Sequence, residues 1–315
     1  MTMVDTTDRS ASSMQWSDID VAQAKARKRP LYWIVSIAIF VAATIVVAGT
    51  ARNKNIEWST VFEYLFHATV LDGLVTTLWL TAAAMGLGVF GGILLAFGRI
   101  SRNALLRYPS NLYVWFFRGT PLLIQLIFWY NFAIFLPRVQ LQIPFTNLYL
   151  LSESTNDLIT PLTAAVLGLA LHEAAYMCEI VRAGMQGVAK GQVDAGLMVG
   201  LSSAQVNRQI ILPQAMRIII PPTGNQAISM LKATSLVSVM SVFDLFYSAQ
   251  SLYTNNGKVI PLLVVAAIWY LVMTSILYVI QARIEKHYGA GSGIRVTGRS
   301  PQIATVSAIV RRWRR

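Results

Sequence analysis

The sequence predicts an all-α membrane protein with about six transmembrane helices. Three observations carry that prediction. Of 315 residues, 55% are hydrophobic and 13% charged, where an ordinary soluble domain carries about a quarter charged residues; mean hydropathy is +0.53. Apolar runs of about 20 residues, the length a helix needs to cross the hydrocarbon at ~1.5 Å per residue, recur along the chain. Lysine and arginine are concentrated in alternate segments between those runs, as the positive-inside rule expects.

Taken in order, the runs are 31–50, 73–97, 119–137, 158–181, 218–243 and 259–281. Four carry no charge. The fourth contains His172, Glu173 and Glu179, and the fifth contains Lys232. The first begins only at Leu31 and is long enough to span, so it reads as a retained anchor rather than a cleaved leader. Residues 61–73 suit a short interfacial helix leading into the second run. Thr120-Pro121 and Thr160-Pro161 each place a capping hydroxyl before a proline at the first helical position. The longest outer loop, 138–160, reads as a connector or as a surface for an external partner.

With a cytoplasmic N-terminus, segments 1–30, 99–118, 182–217 and 283–315 face inward and hold 5, 4, 4 and 8 Lys/Arg, 21 of the 26. Arg52, Lys54, Arg138 and Lys258 face outward, and Lys232 lies inside a span. This placement accounts for the net charge of +12 without nucleic acid. The domains expected are a cytoplasmic polar tail over 1–30, a transmembrane domain over 31–282 that includes a cytoplasmic loop at 183–213, and a basic cytoplasmic tail over 283–315. Ser10-Ala11-Ser12-Ser13 suggests disorder in the first tail. The terminal RRWRR either rests on anionic lipid or is solvated. The single cysteine, Cys178, excludes an internal disulfide. Three dispersed histidines, His67, His172 and His287, and the lack of H-E-x-x-H or G-x-S-x-G argue against a metal site or a hydrolase.

One polar stretch stands between apolar runs: KGQVDAGLMVGLSSAQVNRQIILP, residues 190–213. Val193, Leu197 and Gly200 or Leu201 share a helical side. Gly200 suits a left-handed helix end, and Ser202 with Gln205 fits a capping box. Pro213 disfavours a helical Leu212 and marks a boundary. The expectation is two short helices joined at Gly200. On spacing alone they are either the turn between two spans or a docking element that shows apolar residues to water.

The order Asp194-Ala195-Gly196, three residues, Gly200, nine residues, Ile210, one residue, Leu212-Pro213 resembles the EAA loop of ABC-importer permeases, with Asp194 standing for Glu and Gly196 for Ala. FFRGTPLLIQL at 116–126, AAYMCEIVRAG at 174–184, ILPQAMRIIIPPTGNQ at 211–226 and LKATSLVSV at 231–239 resemble the polar amino acid branch of that family. The resemblance implies a type I ABC-importer permease architecture. It implies that Asp194, Ala195, Gly196, Gly200, Leu201, Ile210, Leu212 and Pro213 seat a coupling hairpin in a cytoplasmic ATPase. The implied partners are two ABC ATPase subunits, a second permease chain, identical or homologous, an extracytoplasmic solute-binding protein and a polar amino acid. The implied place is the bacterial inner membrane, with both termini cytoplasmic. No G-x-x-x-x-G-K-[ST] phosphate loop occurs in the chain, so ATP and Mg belong on the partner ATPase and no cofactor is expected here.

Ionisable residues in a span are costly and are therefore functional candidates. His172, Glu173 and Lys232 fall near mid-depth, where an acid and a base could meet across the bundle. Glu173 is then a site for an α-ammonium and Lys232 for an α-carboxylate; the alternative is a structural ion pair. Asn225 and Ser229 share a helix face, with Ser235 near its edge. Gln125 and Asn131 are further candidates for the lining, or bridges between helices. Thr223-Gly224-Asn225 after Pro221-Pro222 is either a helix break lining the path or the start of the fifth span. Glu179 and Arg182 are set to pair as i,i+3 neighbours. The competing function, an ion-gradient-driven amino acid carrier or exporter, expects several intramembrane acids and no docking loop.

Overall fold

The computed structural model describes residues 30–53, 56–142 and 149–289. The serine-rich part of the first tail and the RRWRR terminus lie outside the described residues. The chain divides into two compact units, Met1–Lys54 and Asn55–Arg315. In the first, α1 (Pro30–Ala51) is an apolar helix of 22 residues, roughly 33 Å long and sufficient for one crossing.

The second unit begins with α2 (Trp58–Leu65) and α3 (Ala68–Ile100). The interfacial helix expected over 61–73 is thus two elements. His67 makes the break, its Nδ1 accepting from the Thr69 amide at 3.3 Å to start α3. Next come α4 (Ala104–Gly119) and α5 (Leu122–Tyr130). Strands β1 (Arg138–Gln142) and β2 (Tyr149–Ser154) form an antiparallel hairpin with Arg138 opposite Ser154. So the long outer loop contains a strand pair within an otherwise helical chain. The helices α6 (Thr155–Leu158), α7 (Pro161–Gln186), α8 (Lys190–Met198), α9 (Ser203–Val206), α10 (Leu212–Ala233), α11 (Leu245–Asn256) and α12 (Val259–Gly289) follow. Lys258 lies 2.9 Å from Glu57 and ties the start of α12 to α2. Its hydrogen bond to Glu57 holds that carboxyl below its ordinary range. Helix α12 continues beyond residue 282 into the expected tail.

Among the described residues, α3, α7 and α12 are each long and apolar enough to cross a membrane, and two bent pairs raise the count to five. With α1 the expected six apolar segments all reappear. The third is not one straight helix, however. Helices α4 and α5 meet at 104°, because Thr120, ahead of a proline, takes φ −109°, ψ 142°. Thr120 does not cap α5; its hydroxyl donates back to the Phe116 carbonyl at 2.9 Å. Thr160 does cap α7, accepting from the Thr163 amide at 3.2 Å. The fifth segment starts earlier than expected, at Leu212, passes into a 3-10 stretch over Thr234–Met240 and turns 44° into α11.

The centre of the unit is the contact of α3 with α7. Buried Ala84, Gly88, Gly92 and Ala96 form a stripe of small residues along α3. Ala170, Ala174 and Cys178 of α7 lie against its glycines. Small residues let two helix backbones approach closely in lipid, where burial of apolar surface gives no advantage. A Cβ at Gly92 would sit 2.9 Å from the Cys178 amide nitrogen and 3.0 Å from the Ala174 carbonyl, both backbone atoms. Gly92→Val is therefore expected to force the helices apart and cost about 1–3 kcal/mol. A fall in the unfolding temperature of the detergent-purified protein checks this, with Gly86→Ala, whose Cβ meets nothing within 4 Å, as the unchanged control.

Candidate functional site

The polar stretch at 190–213 folds as a hairpin. Gly200, at φ +88°, ends α8; its amide donates to the Leu197 carbonyl at 3.0 Å, and the Leu201 amide donates to the Gly196 carbonyl at 3.1 Å. That pair of bonds is a Schellman stop. Ser202 and Gln205 complete a capping box that starts α9. Leu197, Met198 and Val199 at the tip are 47%, 89% and 78% exposed. Asp194 and Ala195 are exposed beside them. Gly196 is buried, and a Cβ there would meet Ile210 Cδ1 at 2.5 Å and Val206 Cγ2 at 3.2 Å. The glycine that weakens helix propensity therefore permits the two arms to close.

The second arm differs from the expected short helix. A π turn over Asn207–Ile211 carries the helix through to α10, and Leu212 is helical at φ −59°, ψ −46°. Pro213 is at the start of α10 and ends nothing. A π turn changes the bonding register, so the amide missing at Pro213 does not interrupt the helix.

At mid-bundle the structure brings together His172 and Gln125, with His172 Nδ1 3.2 Å from Gln125 Oε1. The Gln125 amide donates to the Phe117 carbonyl at 2.9 Å, to the Thr120 carbonyl at 3.1 Å and to the Thr120 hydroxyl at 2.7 Å. Gln125 thus satisfies carbonyls freed by the α4–α5 bend, and is itself buried. Glu173 is buried on the α3-facing side of α7, where the missing Cβ of Gly88 would lie 2.7 Å from Glu173 Cβ. Its Oε1 has no hydrogen-bond partner.

Lys232 does not meet Glu173. It is exposed and has no acidic partner among the described residues. An acid buried between two helices and a base on the open face of a third are not a pair. Asn225, Ser229 and Lys232 instead line one exposed face of α10, the i, i+4, i+7 pattern of a helix stripe. Ser235 follows, its hydroxyl donating to the Lys232 carbonyl at 2.7 Å. Thr223-Gly224-Asn225 is not a break: α10 runs through it, with Pro221 and Pro222 inside. Asn131 turns its amide to the Ile127 carbonyl at 2.8 Å and caps α5.

Two clusters go beyond the sequence expectation. Glu179 pairs with Arg182 at 2.8 Å, as expected, and also with Arg118 at 3.3 Å and with Arg99. One carboxylate thereby joins α3, α4 and α7. Asp244 is fully buried and caps α11, accepting from the Tyr247 amide at 2.9 Å and the Tyr270 hydroxyl at 3.2 Å. Its signal in the sequence was an acid directly after an apolar run.

The described helices thus form a bundle with several apolar spans that displays a helical hairpin with an apolar tip, and a polar stripe lies on the continuation of its second arm. Residues 88–289 match the family of binding-protein-dependent transport system inner membrane components. The chain belongs to that family. It is 39% identical over 285 residues to the arginine transport system permease protein ArgU of Corynebacterium glutamicum, covering 88% of this chain and 86% of that one. It is 30% identical over 231 residues to the glutamine transport system permease protein GlnP of Escherichia coli, covering 73% and 96%. A crystal structure of an amino acid ABC transporter with histidines superposes with a TM-score of 0.60 at 32% identity, covering 70% of this chain and 94% of that one. The protein is thus a multi-pass inner-membrane permease subunit of an ABC importer, working with ATPase and binding-protein components. ATP hydrolysis belongs to a separate subunit.

Replacing Gln125 by Leu strands the Phe117 and Thr120 carbonyls in the bundle. The expected cost is about 1–3 kcal/mol, read as a lower unfolding temperature. Gln125→Glu, which keeps the size and the acceptor but loses the donor, is expected to behave like Leu.

Proposed function

We propose that this chain forms half of an ATP-driven import path for polar amino acids, with both termini in the cytoplasm. The observation that carries the reading is the α8–α9 hairpin: it holds Leu197, Met198 and Val199 out from the bundle on a frame fixed by Gly200 and Ser202. An exposed apolar tip on a rigid frame suits a groove in a partner. In this reading two ABC ATPase subunits, with ATP and Mg, each receive one such tip. Asp194 lies exposed beside the tip. A second permease chain, identical or homologous, completes the path, and a solute-binding protein delivers solute at the β1–β2 end. The concentration of Lys/Arg at the hairpin end supports its cytoplasmic placement.

Polar amino acids as solutes are supported by the arginine and glutamine permeases among the relatives and by the side chains available. The open acceptor on Glu173 offers a place for an ammonium group, and the separate polar face of Asn225, Ser229 and Lys232 on α10 offers donors to a carboxylate at another point of the path. His172 and Gln125 set the bend beside it. An unsatisfied buried acceptor is costly on its own, and an incoming donor removes that cost.

Two measurements test the reading. Met198→Asp with Val199→Asp places charge in the docking surface and is expected to lower co-purification of the ATPase about tenfold or more and to abolish uptake, with the fold intact. Uptake by this chain alone in proteoliposomes, without an ATPase, overturns the reading. Glu173→Gln is expected to raise KM for the amino acid about tenfold, the effect of one lost charge-assisted hydrogen bond. Unchanged kinetics and solute range remove Glu173 from the path.

A further inference from the structure

An apolar groove of about 540 Å³ runs between α3, α7 and the α9–α10 arm. Its walls include Phe97, Val181, Met185, Met216 and Ile220, and Arg208 closes the end next to the hairpin. The groove is open at its side, with Phe97 57% and Leu212 52% exposed. From Arg208 to Thr223 at its far end the helix rises roughly 22 Å, more than the depth of one leaflet of a ~30 Å hydrocarbon core.

The groove does not suit the amino acid path. Met216 and Asn225 are nine residues apart, which puts them roughly 180° apart on α10. The groove therefore opens on the side of α10 away from Asn225, Ser229 and Lys232. Its walls offer almost no polar partner, so a zwitterion entering it would be left without hydrogen bonds. Charge decides what does fit. Arg208 is exposed and makes no hydrogen bond or ion pair among the described residues. The same end carries Arg99, Arg118 and Arg182 around the single acid Glu179. An apolar trough one leaflet deep with an unpaired cation at its mouth matches a molecule with an acyl chain and an anionic head.

We propose that this groove binds an anionic phospholipid of the hairpin-side leaflet, with one acyl chain between α3, α7 and α10 and the phosphate on Arg208. A lipid so placed packs against the root of the hairpin's second arm. The proposal does not depend on which solute is carried, and its test reads binding rather than uptake.

The full chain, reconstituted with its ATPase in nanodiscs, is titrated with spin-labelled phosphatidylglycerol and phosphatidylcholine. The motionally restricted lipid signal is expected to favour phosphatidylglycerol about fivefold, the effect of one basic residue near the surface. Arg208→Gln is expected to abolish that preference and Met216→Trp to fill the groove and remove the restricted component. Arg283→Gln, an exposed arginine outside the groove, is expected to change neither. A photo-crosslinking residue at position 216 is expected to yield a phospholipid adduct. A headgroup preference that survives Arg208→Gln, or a peptide adduct in place of lipid, overturns the proposal. Lipid binding as expected in an intact complex that shows no uptake leaves the proposal standing and counts against the transport reading instead.

Discussion

The close approach of α3 to α7 is the constraint on which the rest of the second unit depends. It requires residues without side-chain bulk, and Gly88 and Gly92 meet Glu173, Met177 and the Cys178 amide directly. Once the two backbones are that near, Glu173 has nowhere to go except between them. Glu179, a turn and a half further along α7, is brought within reach of Arg99 at the end of α3. Arg118 then joins from α4, and the Tyr113 hydroxyl donates to the Leu171 carbonyl at 2.8 Å. A single packing decision thus places a mid-bundle acid, fastens a third helix and leaves room for the apolar groove on the far side.

The second constraint is that backbone groups in lipid must be satisfied within the protein. Three helix interruptions have side chains assigned to them. Gln125 serves the bend between α4 and α5. Where the 3-10 stretch ends, Ser241 turns through φ +57°, Asp244 caps the next helix, and Thr77 of α3 accepts from the Leu245 amide at 3.0 Å. Gln281 of α12 donates to the Pro221 carbonyl at 3.4 Å, beside the paired prolines of α10. Glu173 stands apart from these repairs. It serves no backbone group, and its Oε1 shares with that of Gln281 the state of a buried acceptor without a partner. In the proposed import path the acceptor on Glu173 is the one offered to solute.

Much of this was legible in the sequence because it is written in short-range chemistry. Hydrophobic length gave the spans, and Gly200, Ser202 and Gln205 the hairpin tip. What stayed hidden depends on partners distant in the chain. Gln125 read equally as a lining amide or a bridge between helices, because its carbonyl acceptors exist only after the helix breaks at Thr120. Glu173 and Lys232 looked like a pair because depth can be counted along a span, whereas rotation about the helix axis is set by packing. Pro213 looked like a stop because the π turn that accommodates it has no local signature. The small-residue stripe of α3 was present at spacings of four, Ala84, Gly88, Gly92 and Ala96, and went unread because small residues do not register in a count of hydrophobic length.

The π turn also bears on how work at the hairpin reaches the path. Had Pro213 ended the second helix, the hairpin would hang from the bundle on a joint, and force at its tip would be lost in that joint. Instead the helical backbone continues from Ser203 to Lys232, a lever of roughly 43 Å at ~1.5 Å per residue. Its outer end carries the tip residues through the Gly196–Ile210 contact, and its inner end carries Asn225, Ser229 and Lys232. In the proposed import cycle, a displacement imposed by the ATPase at Met198 therefore moves the carboxylate-binding face of α10 as part of the same body. Glu173, fixed to α3 by Gly88, does not belong to that body. The buried acid and the polar face that the proposed path offers to solute then sit on elements that move relative to each other, so that solute is passed on by geometry without any change in the chemistry of either group.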